Sequence, residues 1–302
     1  MDDKQHNEPG AKTTVWPAAT GANLKHHETP HTPRATCAPA AVNATDGRPA
    51  AILALNVYDF FAQLGKRVIN PGGIDGRDRL LAELKIKPGS RVLEVGCGSG
   101  HTACALAERF QCQVTAVDLS ARMVAAARTR VAQAGLKSQV RCEVADVTWL
   151  PFASATFDYV IVQAVLMFVD KARALAEIRR VLKPGGQLGG IEFAWRQTPP
   201  TSVRDATHNI CGCTVLEFHP RGEWAEWLER AGFDRVQSDE RPFALLSIPG
   251  FLRDEGILNS LRVVRRVLRR RAHRQRMIGI WRHFARHRAH FSYVVLTGYK
   301  LS

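Results

Sequence analysis

Apolar positions along the chain follow two spacings. Val92, Leu93 and Val95 form a close-set run after a Pro88-Gly89 turn, and Gln113–Ser120, Gln139–Val144 and Phe157–Gln163 repeat that pattern. Short apolar runs bounded by turns are the mark of strands buried on both faces. The stretches between them change period. Thr102–Phe110, Ala121–Ala134 and Asp170–Leu182 carry apolar residues at helical spacing, the last with Ala172, Leu175, Ile178 and Val181–Leu182 on one face. Leu182-Lys183-Pro184-Gly185-Gly186 predicts a helix end and a chain reversal, and Gln187–Ala194 a fifth strand. Beyond it, Trp195–Pro220 reads as irregular, Gly222–Ala231 as a helix, Arg235–Ser238 as a sixth strand and Ser292–Lys300 as a last strand. Alternating strands and helices predict an α/β fold with a mostly parallel sheet and helices on both faces.

The ends of the chain break this rhythm. Residues 1–50 are rich in Pro, Thr, Ala, Asn and His, lack an apolar period, and read as a disordered tail. Ile52–Val68 predicts a helix, with Ile52, Leu55, Tyr58, Phe61, Leu64 and Val68 in register, and Asp75–Leu84 predicts another. The expected domain layout is a tail, 1–50, and one folded domain, 51–302. Within the domain, cap helices span 51–88, the core 89–240, a basic helical insert 241–290 and the final strand 291–302.

Charge singles out the insert. Net charge is +14 over 302 residues. Residues 253–288 hold 12 Arg against Asp254 and Glu255, so +10 of the +14 lies there. Ile257, Leu261, Val264 and Leu268 form one helical stripe, with Arg262, Arg265, Arg266, Arg269 and Arg270 opposite; Met277, Ile280, Trp281 and Phe284 form a second. Two basic amphipathic helices could roof a substrate pocket, lie on an anionic membrane surface or touch nucleic acid phosphate. A lid with a solvated cationic face comes first and nucleic acid last, because no RNA-binding module accompanies the insert. No apolar run reaches the ~18–20 residues of a membrane span. The seven cysteines are odd in number and four lie in the core, which predicts reduced thiols and a cytoplasmic protein. Cys211-Gly-Cys213 raises a metal or metalloid site; buried free thiols are the expectation, with no metal.

The chemistry concentrates at Glu94-Val95-Gly96-Cys97-Gly98-Ser99-Gly100. Strand, glycine bend and helix bring backbone close to a ligand at the carboxyl end of a parallel strand, and the helix start adds unpaired N–H groups. The spacing is neither G-x-G-x-x-G nor a P-loop. It resembles motif I of the class I S-adenosylmethionine-dependent methyltransferases of the small-molecule type. Asp118 at the tip of the second strand, Asp146 after the third and Leu182–Gly186 follow in that family's order. The resemblance implies a Rossmann-like seven-stranded sheet of order 3-2-1-4-5-7-6. It also implies S-adenosyl-L-methionine as cofactor and methyl transfer to a small-molecule or lipid-like acceptor. The cofactor residues it implies are Tyr58, Glu94, Gly96, Cys97, Gly98, Gly100, Asp118, Leu119, Met123, Asp146, Val147 and Gln163. Asp118 would take the ribose hydroxyls and Asp146 the adenine amino group. Tyr58 could shield the sulfonium or simply pack on the core, and Gln163 could hold the amino-acid end or be a satisfied strand-end polar group. No residue is an obvious base; Glu192, His208 and His219 are weak candidates. Rival readings are a non-catalytic nucleotide-binding scaffold on the same fold, and a methyltransferase acting on nucleic acid or a metalloid.

Overall fold

The computed structural model describes residues 52–53, 55–213, 216–243 and 247–301. All lie in the larger of the chain's two units, Ala35–Ser302. The expected disordered tail, 1–50, falls outside the described residues.

Helix α1 (Val57–Leu64) is shorter than the predicted Ile52–Val68 because both ends are capped. The Asn56 side chain accepts from the Asp59 N–H at 2.8 Å, and Gly65 takes a left-handed conformation that stops the helix. Helix α2 (Gly73–Leu84) leads into β1 (Arg91–Val95), α3 (His101–Phe110), β2 (Gln113–Asp118), α4 (Ala121–Gln133), β3 (Val140–Val144), β4 (Phe157–Gln163), α5 (Lys171–Val181) and β5 (Leu182–Trp195). Then come α6 (Thr201–Cys211), β6 (His219–Pro220), α7 (Arg221–Arg230), β7 (Asp234–Pro242), α8 (Ile248–Arg269), α9 (Arg271–Arg286) and β8 (Phe291–Tyr299).

The sheet runs β3-β2-β1-β4-β5-β8-β7, with β8 antiparallel to both neighbours. Leaving β6 aside, that is the expected 3-2-1-4-5-7-6. The eighth strand is a two-residue parallel addition, His219 and Pro220 against Ala194 and Trp195. Alternation along β4 places Val160 and Val162 with Leu175 and Ile178 of α5, while Tyr159 and Ile161 meet Leu80 and Leu84 of α2. Helices therefore cover both faces, as expected.

Four expectations need correction. The Trp195–Pro220 segment contains α6, whose inward positions include Val203, Thr207 and Cys211; a face of one valine, a threonine and a cysteine makes a thin apolar signal. Leu182–Gly186 continues β5 with a register shift against β4, and its reversal is held by the residue after β8, the Gly185 N–H donating to the Lys300 carbonyl at 2.6 Å. On α5 it is Ala174, not Ala172, that is buried. The fourth is the insert. Its acids, not its first apolar stripe, are the buried face of α8: Asp254, Glu255, Asn259, Ser260 and Val263 point inward, and Ile257, Leu261, Val264 and Leu268 are exposed. The Asp254 carboxylate accepts the Ile74 N–H at 2.8 Å in the first turn of α2. Glu255 accepts from the backbone of Arg67 at 2.9 Å and Val68 at 3.3 Å, and from Asn259 Nδ2 at 2.6 Å. It also faces Lys66 Nζ at 3.4 Å. Buried carboxylates are tolerated where donors converge on them. Helix α9 turns its stripe inward at Ile280 and Phe284 but leaves Trp281 exposed.

Candidate active site

The glycine bend sits between β1 and α3 at the carboxyl edge of the parallel strands. Each glycine is required for a different reason. A Cβ on Gly96 (φ +69°) would stand 2.2 Å from Val165 Cγ2, and one on Gly100 (φ +79°) 3.0 Å from the Ala127 Cβ. Gly98 (φ +51°) would meet nothing within 4 Å. Two glycines thus answer to protein packing, and only Gly98 presents backbone to open space. Its N–H donates to Asp118 Oδ2 at 2.9 Å, while Asp118 Oδ1 accepts the Ser120 N–H at 2.9 Å. The acid at the tip of β2 is therefore tied to the bend itself. Burial raises the Asp118 pKa above the usual carboxylate range, and those two N–H groups oppose the rise. Cys97 is buried, and burial raises its thiol pKa, so it is a packing residue of the bend and not a nucleophile.

Glu94, in β1 two residues before Gly96, is buried. Burial lifts its carboxyl to about 8, with the charge of Asp118 adding and hydrogen bonds from Thr102 and the Ala103 N–H opposing. Its Oε2 has no partner. Thr102 also receives Gln163 Nε2 at 3.2 Å, and Gln163 Oε1 accepts from Asn70 Nδ2 at 3.1 Å. A polar relay thus runs from Asn70 through Gln163 and Thr102 to Glu94. Asp146 lies exposed after β3, one carboxylate oxygen accepting the N–H and hydroxyl of Thr148, both at 2.8 Å. Leu119 is exposed and Met123 half-buried, whereas the Val147 side chain belongs to the core, leaving its backbone as the part that can meet a ligand. The Asp59 side chain pairs with Arg122 at 2.8 Å, fastening α1 to α4 just beyond Asp118.

Residues 93–189 match the model of the methyltransferase domain family. An uncharacterised protein of Haemophilus influenzae is 32% identical over 70% of this chain and 85% of its own. The uncharacterised methyltransferase YodH of Bacillus subtilis is 34% identical over 56% of this chain and 70% of its own. This chain belongs to the class I S-adenosylmethionine-dependent methyltransferases. The fold agrees: a methyltransferase of Thiobacillus denitrificans, solved with S-adenosylhomocysteine, superposes with a TM-score of 0.61 at 22% identity, over 79% of this chain and 96% of that one.

Two features of the methyltransferase's site are not visible in its motifs. One is cationic: His101, opening α3, is held neutral, its pKa pushed down to about 3 by burial and by Arg130, Arg67 and Arg77. Arg67 and Arg77 flank the start of α2 and Arg130 lies on α4, so no single motif unites them. The other lies beyond β4. Glu192 of β5 is fully buried; its Oε1 accepts the N–H groups of Val165 and Leu166 at 3.0 and 2.9 Å, and its Oε2 has no partner. Val165 is the residue whose methyl packs on Gly96, so one loop joins the bend to Glu192. Burial raises the Glu192 carboxyl to about 7 against its N–H partners and the charge of Lys171.

Tyr58 stands above this loop, edge-on to Phe168 at 5.0 Å. Burial and the nearby Cys211 and Glu192 raise its pKa well above 10. It lines a narrow apolar cavity of about 20 Å³ with Phe61, Phe193, Phe218, Phe243 and Phe284. A second, open groove of about 340 Å³ is bordered by Trp195, His208, Phe218, His219 and Glu223. Phe218 borders both. His219 is bound to Glu223 at 2.7 Å. Cys211 is a buried thiol whose pKa burial pushes up to about 12; Cys213 is disulfide-bonded, so the expectation of free thiols holds at Cys211 and fails at Cys213. Among the described residues no group of three or more His, Cys, Asp or Glu could hold a metal ion, and no helix is long and apolar enough to cross a membrane.

Proposed function

We propose that the methyltransferase holds S-adenosylmethionine across the carboxyl ends of β1, β2 and β4. It passes the methyl group to a small, largely apolar acceptor lodged among the aromatic residues between α1, α9 and β5. The observation that carries this reading is the pairing of open space at Gly98 with the unpartnered Oε2 of Glu94. A side-chain-free bend admits the ligand's body, and a buried acceptor atom without a donor suits an ammonium group. The residues fit the cofactor in other respects. The free lone pairs of Asp118 would accept the ribose hydroxyls, Asp146 Oδ2 and the Val147 backbone would meet the adenine edge, and Leu119 and Met123 would flank its faces. The amino-acid end would find Glu94 and Gln163 for its ammonium. The first turn of α3, in the field of Arg67, Arg77 and Arg130, would attract its carboxylate.

The cofactor supplies a sulfonium whose methyl carbon is already electrophilic. The chain's share is positioning and exclusion of water. Tyr58 and Phe168 close the crevice from above, and the Asp59–Arg122 pair holds α1 down. Glu192 is the candidate to take a proton from an acceptor hydroxyl or amine: two backbone N–H groups hold Oε1, Oε2 is unpartnered, and a carboxyl near 7 accepts a proton at neutral pH. A cavity of about 20 Å³ cannot hold such an acceptor, so Phe218 must swing and join the cavity to the 340 Å³ groove.

Incubation of the purified protein with methyl-labelled S-adenosylmethionine and fractionated apolar metabolites tests this. The expected result is label in an organic-soluble product, dependent on Glu192 when the acceptor carries a dissociable proton. Cofactor retention without transfer to any fraction would favour a binding or scaffold role. Failure to retain the cofactor would overturn the whole reading.

A further inference from the structure

The outward face of α8 has a composition that neither the fold nor methyl transfer requires. Ile257, Leu258, Leu261 and Leu268 are 74%, 72%, 62% and 59% exposed, and Val264 is also exposed. After the helix breaks at Gly256, these positions recur at three- and four-residue intervals and form one continuous stripe. Arg262, Arg265 and Arg269 run along one side of the stripe, exposed and without an ion pair among the described residues. The opposite side, with Val263 and Ser260, is packed into the protein. An exposed aliphatic row on an ordered helix marks an interaction surface.

We propose that α8 docks the methyltransferase on an anionic lipid bilayer, with the aliphatic row sunk into the headgroup boundary and the arginines among the lipid phosphates. Charge selects this occupant. From Gly256 to residue 302 the sequence contains no acidic residue, and the two acids before it, Asp254 and Glu255, are buried against α2 and residues 66–68. Among the described residues no acid pairs with Arg262, Arg265 or Arg269 on this face. A second copy seated on the same stripe would bring arginine against arginine. Residues 1–50 carry five Lys and Arg against five Asp and Glu and few large apolar residues, so they offer the stripe neither an acidic nor an apolar cover. Nucleic acid would use the arginines but leave the aliphatic row in water. An anionic bilayer satisfies both halves. Helix α9, packed against α8, contributes Ile280 and Phe284 to the apolar cavity. Docking through α8 thus sets the acceptor side of the protein beside the membrane. This inference does not rest on the cofactor reading.

Co-sedimentation of the full chain with vesicles tests it, with S-adenosylhomocysteine binding and thermal midpoint measured on the same preparations. Binding to vesicles of about one-third phosphatidylglycerol in phosphatidylcholine should exceed binding to pure phosphatidylcholine by about tenfold or more, and fall in ~0.5 M salt. Leu261→Asp should remove it with the thermal midpoint unchanged, and replacing Arg262, Arg265 and Arg269 by Gln should weaken it about tenfold. No binding to the anionic vesicles overturns the proposal. So does a dimer that Leu261→Asp splits, a thermal midpoint that falls in Leu261→Asp because the chain itself covers the face, or binding to RNA in place of vesicles. Loss of S-adenosylhomocysteine binding with vesicle binding intact would strike the cofactor reading alone.

Discussion

The glycine bend and α8 both bury carboxyl groups, and they do so to opposite ends. In the insert, Asp254 and Glu255 are surrounded by donors: backbone N–H groups of Ile74, Arg67 and Val68, the amide of Asn259 and the ammonium of Lys66. They are staples. Beneath the bend and on β5, Glu94 and Glu192 each keep one oxygen with no partner at all. A buried carboxyl that is fully satisfied fixes a structure; one left half-satisfied is the candidate to meet a ligand.

The sharpest way to break the comparison lies within the bend. Gly96→Ala should destabilise the protein by ~4 kcal/mol, because a clash with Val165 adds to the left-handed backbone, whereas Gly98→Ala should lose only ~1 kcal/mol. Thermal or denaturant unfolding decides this; equal losses would show that the two glycines serve the same purpose. Next, Glu255→Ala should cost ~3 kcal/mol, since it strands a buried lysine and three hydrogen-bond donors; a change below ~1 kcal/mol would remove the staple from the account.

The pH dependence separates the two kinds of carboxyl. Glu94 and Glu192 have folded pKa values of about 8 and about 7, both raised from the ordinary 4.5. Between those limits the folded state binds more protons than the unfolded one, so their contribution to stability is intact below the ordinary value and is lost as pH rises through the window. Each can lower stability by up to ~1.4 kcal/mol per pH unit. Glu192→Gln should flatten the stability profile between about pH 5 and 7 in the absence of cofactor, and a profile identical to the parent would argue against a protonated Glu192. The smallest effects contrast the two faces of α8. Val263→Ala should cost ~1–2 kcal/mol and Leu261→Ala less than ~0.5 kcal/mol, and a reversed order would mean that α8 is rotated in solution.

The sequence told much about the sheet and less about the faces of helices. The strand positions and the chain order of Glu94, Asp118 and Asp146 were legible because strand, bend and acid are local features; the order of strands in the sheet came from the family resemblance. Periodicity located α8 and its stripe but could not say which face is inside, since an aliphatic row is inward only if something covers it. Composition counts Asp254 and Glu255 only as charge; contact with residues 66–68 and 74 makes them anchors. Helix α6 went unread because its inner face is a valine, a threonine and a cysteine. Glu192 was legible only as a weak candidate base, and Val165 and the arginines around His101 had no signature, because contact in the fold and not a shared motif brings them together.

The central claim is that the bend at Gly98 and the carboxylate of Asp118 together hold the cofactor's nucleoside. Calorimetric titration of S-adenosylhomocysteine into the wild type, Gly98→Val, Asp118→Ala and Leu261→Asp tests it most directly. Binding by the wild type and by Leu261→Asp alike is expected, with loss of at least about tenfold in the other two while their cooperative unfolding persists. Unchanged affinity in folded Gly98→Val and Asp118→Ala would contradict it.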